Sequence, residues 1–164
     1  MINYFIYISV ALLFCSLAAT AQPPPPRPIA VYANPAQGMI FGAFFQGASG
    51  GTVILNPDGS RSSTGSLILA NLGYPYSPAL FSIDANTGTV ISIMNGPNVT
   101  LTGSNGGSIT LHLGASSKGS SFTTSVVSPS QTQVWIGGTL TVGSPLANPS
   151  GSYSGTFSVT FIQQ

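Results

Sequence analysis

Beyond residue 28 the chain is a succession of short apolar runs, each cut off by Gly, Asn, Pro or Ser. The runs are rich in Val, Ile, Leu, Phe and Thr and return at about ten-residue spacing, which is the signature of an all-β sandwich or barrel. No stretch after the first twenty residues carries an apolar stripe of helical period. Strands are predicted at Ile29–Ala33, Met39–Phe45, Thr52–Leu55, Ser66–Ala70, Ala79–Ile83 and Thr89–Met94. Six more are predicted at Val99–Thr102, Ser108–Leu113, Phe122–Val127, Gln133–Ile136, Thr139–Val142 and Tyr153–Phe161. Several alternate strictly: Ile109, Leu111 and Leu113 oppose Thr110 and His112, and Tyr153, Gly155, Phe157, Val159 and Phe161 oppose Ser154, Thr156, Ser158 and Thr160. A period of two sends one set to a core and the other to water. The intervening Asn56-Pro57-Asp58-Gly59, Asp84-Ala85-Asn86-Thr87-Gly88, Asn95-Gly96-Pro97-Asn98 and Asn105-Gly106-Gly107 supply positive φ at Gly or Asn and side-chain bonds to the backbone. Short hairpins follow, so the expected fold of residues 29–164 is one antiparallel, immunoglobulin-like β-sandwich.

The first residues read differently. Ile2 to Ala19 is almost unbroken in apolarity and ends in Ala19-Thr20-Ala21, a small-x-small pattern before Gln22. Residues 1–21 are therefore expected to be a cleaved signal peptide, although the segment before the apolar run lacks Lys and Arg. An uncleaved anchor is the alternative, because about 18 apolar residues is near the lower limit for spanning a bilayer. Lipidation of Cys15 is disfavoured by the bulky Phe14 before it. Loss of the signal would remove the single cysteine, leaving neither a disulfide nor a thiolate metal site. Gln22-Pro23-Pro24-Pro25-Pro26-Arg27-Pro28 then forms an extended spacer, since prolines lack the backbone donor and favour polyproline II. Export is expected, with membrane contact only through the signal during that step.

Charge narrows the function. Five residues are charged, Arg27, Asp58, Arg61, Asp84 and Lys118, and there is no Glu. Three cations are too few for a phosphate-binding face, so no nucleic-acid partner is expected. Enzymatic chemistry, which needs carboxylates, imidazoles or ammonium groups in constellations, is not expected either. No metal or cofactor is expected: His112 is the only histidine and reads as a surface polar residue, and Asp84-x-Asn86-x-Gly88 starts like a calcium loop but reaches Asn95 where a bidentate Glu belongs. Asp58 and Asp84 read as turn residues rather than a glycosidase pair. Gly47-Ala48-Ser49-Gly50-Gly51 has the Gly-x-Ser-x-Gly spacing, but it leads into the β-rich Thr52-Val53-Ile54-Leu55 instead of a helix. Trp135 and Phe122 read as core residues. Tyr74-Pro75-Tyr76 is a candidate ligand-contact loop, because aromatic faces beside a proline can stack on sugar rings, with Asn71 or Asn98 to hydrogen-bond; packing as a lid on the sandwich edge is the competing reading.

Three segments taken in order resemble a known family. Phe41-Gly42-Ala43-Phe44 leads into Gly47-Ala48-Ser49-Gly50-Gly51-Thr52-Val53; Asn56-Pro57-Asp58-Gly59-Ser60-Arg61 follows; Gly138-Thr139-Leu140-Thr141-Val142-Gly143 and Gly151-Ser152-Tyr153-Ser154-Gly155-Thr156-Phe157-Ser158-Val159 complete the pattern. They resemble the bacterial secreted family called domain of unknown function 4402, and the final strand is similar to the last strand of spore-coat-U-like pilins of the archaic chaperone-usher systems. The family likeness implies the periplasm or the outer surface of a bacterium as the location, and the pilin likeness implies a pilin-like sandwich and filament subunits. The departure is at the N-terminus, where a proline tract replaces the longer alternating strand expected of a donor segment.

Two functions from different classes follow. The first is a secreted or cell-surface structural protein that assembles with copies of itself, or with cell-surface components, into fimbria-like filaments by β-strand addition. Its candidate assembly strand carries Tyr153, Phe157, Val159 and Phe161, and its candidate donor strand carries Ile29, Val31 and Ala33, unless that short segment pairs within its own domain. The alternative is a monomeric extracellular module binding carbohydrate, or serving adhesion, through Tyr74 and Tyr76. A sandwich lacking one strand would favour the first, and a closed sandwich with an aromatic shelf the second.

Overall fold

The computed structural model describes residues 27–164; the expected signal peptide at 1–21 and residues 22–26 of the spacer lie outside the described residues. Among these residues the only helical element is a 3-10 turn at Pro35–Gln37. The strands are β1 (Ala30–Ala33), β2 (Phe44–Gln46), β3 (Gly51–Leu55), β4 (Arg61–Ser63), β5 (Leu67–Leu69), β6 (Ala79–Asp84) and β7 (Val90–Asn95). They continue as β8 (Val99–Gly103), β9 (Ser108–Ser116), β10 (Ser121–Thr123), β11 (Thr132–Val142), β12 (Tyr153–Ser154) and β13 (Val159–Gln163).

The long β11 organises the sandwich. Along one edge its first half pairs with β6 and its second half with β3, while β9 takes the other edge; every pairing is antiparallel. The large sheet thus runs β1-β6-β11-β9-β8-β12, with β3 and β4 as a side branch. A three-stranded sheet, β10-β7-β13, and a two-stranded ribbon, β2-β5, complete the fold. Ile83, Ile91, Val134 and Ile136 form a core beneath β6, β7 and β11, with Phe122, Val159 and Phe161 packed on it. The other core joins Val53 and Leu55 of β3, Leu101 of β8, Ile109, Leu111 and Leu113 of β9, and Leu140 and Val142 of β11, with Phe44 and Leu69 of the ribbon against it. Met39 and Val159 touch both.

The sandwich is all-β, as the alternation predicts; the expected Met39–Phe45 is reduced to a bridge at Ile40 and β2, the expected Phe122–Val127 to β10, and three elements depart further. Gln133–Ile136 and Thr139–Val142 are one strand, because Val134, Ile136, Gly138, Leu140 and Val142 keep a single inward parity through the glycines. These glycines serve close approach rather than a turn: a β-carbon on Gly137 would collide with the carbonyl of Leu55, and one on Gly138 would press on the Met39 sulfur. Tyr153–Phe161, in contrast, is split, with β12 pairing β8 in the large sheet and β13 pairing β7 in the small one. Gly155 lies in the crossing, where a β-carbon would meet Leu101. Arg61–Ser63, wholly polar and so invisible to an apolar pattern, forms β4 against β3.

Candidate functional site: an open strand edge and an aromatic groove

In an antiparallel strand the N–H and C=O of one residue point the same way, and successive residues alternate. At the two ends of β13, Gly96 N–H donates to the Ser158 carbonyl and Gln164 N–H to the Val90 carbonyl, both at 2.9 Å. Even-numbered residues therefore face β7, and the backbone groups of Val159, Phe161 and Gln163 face away from it. Among the described residues they have no backbone partner. The inward side chains of this region are also incompletely covered: Phe157, Val159 and Phe161 are half-buried, whereas Ile109, Leu111 and Leu113 of β9 are 2–3% exposed. Phe161 stacks obliquely on Phe81, ring centroids 5.3 Å apart, yet still presents surface.

A second free edge lies across from it. Asn34 N–H donates to Leu80 O, so the even residues of β1 face β6 and the backbones of Val31 and Ala33 face outward. Ile29 N–H also points outward, and its acceptor is the side-chain Oε1 of Gln163 at 3.2 Å; Gln163 Nε2 donates in turn to Arg27 O at 3.4 Å. A side-chain amide, not a strand, bridges β1 and β13 at this end. Arg27 is further tied to Asp84 at 2.8 Å and to Ser128 Oγ at 2.7 Å. Of the candidate donor residues, Ile29 packs on the core, while Val31 and Ala33 are exposed. The alternation expected there is absent because β1 covers an edge and not a face. Tyr153 is half-buried and donates its hydroxyl to Pro149 O at 2.7 Å.

The other candidate is a groove of about 830 Å³ lined by Tyr76, Trp135, Asn56, Asp58 and Gln37. Tyr76 is positioned by its neighbour Ser77, whose backbone exchanges bonds with Ile40 at 2.8 and 2.9 Å. Arg61 lies over the Tyr76 ring, 4.4 Å from its centroid, and donates through Nη1 to the carbonyl of Phe41 at 2.6 Å. Across the groove the Asn56–Ser60 turn is closed by Asp58, whose Oδ1 accepts from Ser60 N–H at 2.8 Å and Ser60 Oγ at 2.7 Å. The Ser60 hydroxyl and then its N–H hold the Asp58 carboxyl below the usual carboxylate range. Trp135 is half-buried on the outer face of β11, its backbone N–H donating to Ser117 Oγ at 3.0 Å. It is thus not the core residue expected. Parity is the signal that could have found it, since Val134 and Ile136 are inward and residue 135 must point the other way. Tyr74 is 63% exposed and outside the groove, so the structure does not bring the two tyrosines of the loop to one site.

The remaining polar candidates are dispersed. His112 is exposed, its Nδ1 2.8 Å from Asn98 Oδ1. Asp84 is buried at the end of β6 against Arg27, a role different from the turn residue expected, while Asp58 sits in the exposed β3–β4 turn. Ser49 lies two residues before strand β3, and its N–H donates to Ser66 Oγ. No group of three metal-binding side chains occurs among the described residues. Sequence reasoning also missed Asn148, a buried residue in the β11–β12 connection. Its Oδ1 accepts from Gly143 N–H and its Nδ2 donates to Ser108 O.

No curated protein and no solved structure matches the chain. Residues 31–162, which span β1 to β13, match the family described as domain of unknown function (DUF4402), and the chain belongs to that family.

Proposed function

We propose that the protein is a secreted structural subunit that polymerises at the bacterial surface by β-strand addition, with the space between β1 and β13 as the acceptor. The observation that carries this reading is the pair of facing free edges: outward backbones of Val31 and Ala33 on one side, and of Val159 and Phe161 on the other. A strand from a neighbouring copy would satisfy those groups while its alternate side chains cover Phe157, Val159 and Phe161. Ile29–Ala33 is then one wall of the acceptor rather than the donor. Sparse charge supports the same reading, because neutral Ser, Thr and Asn surfaces desolvate at small cost and few charged residues guard the edges. So does the likeness of Gly151–Val159 to the last strand of spore-coat-U-like pilins. A head-to-tail contact of this kind does not close on itself and yields filaments.

Paired proline variants test it. Val159→Pro removes an N–H that points to the open edge and leaves the β7 bonds in place, so the monomer should fold and filaments should vanish in electron micrographs of the secreted material. Thr160→Pro removes a bond to β7 and should instead unfold the small sheet. Filaments of ordinary length from the Val159→Pro protein would sink the proposal.

A further inference from the structure

The Tyr76–Trp135 groove uses none of the residues of the acceptor edge, and the chemistry it gathers is of another kind. One face of the Tyr76 ring is occupied by the Arg61 guanidinium, and the residue is nonetheless 47% exposed in the groove. Trp135 supplies a second aromatic surface and an indole N–H. Around them stand polar groups without an intramolecular partner among the described residues. Asp58 binds Ser60 through Oδ1 alone, leaving Oδ2; Asn56 uses its Nδ2 toward Ser60 Oγ, leaving its carbonyl; Gln37 accepts from Asn34 through Oε1, leaving its amide donors. Aromatic faces flanked by amide donors, an amide carbonyl and a carboxylate suit the apolar C–H faces and the hydroxyl rim of a pyranose ring. Charge selects within that class. Asp58 is the one charged residue lining the groove, and the Arg61 guanidinium behind the Tyr76 ring is engaged by the carbonyls of Phe41 and Ala43, so an acidic sugar or phosphate meets a carboxylate where a hydroxyl meets a strong acceptor.

We propose that this groove binds a neutral polysaccharide chain, with Tyr76 and Trp135 stacking on sugar rings and Asp58 accepting from their hydroxyls. The measurement is binding of the monomeric protein to immobilised neutral hexasaccharides (cellohexaose, xylohexaose, mannohexaose, maltohexaose and laminarihexaose). A titration of the intrinsic fluorescence should then follow with whichever oligosaccharides are retained, since Trp135 is the single tryptophan of the chain. At least one neutral hexasaccharide should bind and shift the Trp135 emission, and a polygalacturonate oligomer should not. Tyr76→Ala should weaken binding by about tenfold, the loss of one stacking contact. Because that variant also loses the Arg61 contact, Asp58→Asn provides a second reading. Asn at this position still accepts from Ser60, so the turn should persist while affinity falls several-fold and discrimination against the acidic oligomer relaxes. Absence of binding across the neutral set would overturn the proposal. So would unchanged affinity in both variants, or tighter binding of the acidic oligomer by the parent protein.

Discussion

Single polar side chains replace the disulfides this chain lacks. Asn148 is 4% exposed and satisfies three backbone groups, from Gly143, Ser108 and Ala147. Removing one partner of a buried bond leaves the other desolvated and unpaired, which is the expensive half of hydrogen bonding. Asn148→Ala should therefore lower unfolding stability by about 2 kcal/mol in a urea titration at unchanged slope; a loss below about half a kcal/mol would mean that water takes over those groups. Thr124 acts similarly, its buried hydroxyl accepting from Thr89 N–H at 3.1 Å and donating to Asn86 O to fix the turn after β6. Asp58 works from the surface. Its carboxyl is held below the ordinary range by Ser60, so its contribution to the Asn56–Ser60 turn is present above the unfolded pKa and is lost as pH falls through the lower folded value. The turn role of Asp58 was legible in the sequence, but those of Asn148 and Thr124 were not, because an Asn or Thr reads as a turn former until partners some 35 to 40 positions away, Ser108 and Thr89, are known.

Strands were legible where one face is buried. β9 could be read from its alternation, β11 only as two halves, and the turns at Asn56–Gly59 and Asp84–Gly88 from their Gly and Asn. What could not be read is which sheet a strand joins. Tyr153–Phe161 alternates without a fault, yet Gly155 lets it leave β8 and continue on β7. Edges were equally hidden: β4 is polar throughout, and β1 exposes Val31 and Tyr32 while making its contribution through the backbone. For β1 the prediction is one of stability. Deleting residues 22–33 removes its ladder with β6 and the Arg27 guanidinium, leaving Asp84 buried and unpaired. The truncated domain should be about 2–4 kcal/mol less stable. A truncated protein that melts with the parent would show that β1 adds nothing to its own domain.

At the scale of the whole molecule, electrostatics has little to act on. Arg27–Asp84 is the one salt bridge among the described residues, and the other charged residues, Asp58, Arg61 and Lys118, lie in separate turns and strands. Stability rests on the two apolar cores, so screening should leave it almost unchanged. The melting temperature should move by less than about 2 °C between about 10 mM and about 1 M sodium chloride, apart from any rise with concentration that assembly causes. A large fall with salt would reveal an ionic contribution that the fold does not display.

The Gln163 bridge has a kinetic corollary for the proposed assembly. Its amide already makes the two hydrogen bonds, to Ile29 and Arg27, that a visiting peptide group would want at that end, while the backbones around Val159 stand open. A strand entering as proposed would therefore find vacant partners at the Val159 end and an occupied position at the Gln163 end. On the proposed assembly, insertion would acquire a direction: it should start at the unoccupied end and finish by displacing one glutamine side chain, whose return would be the first step in letting the strand go.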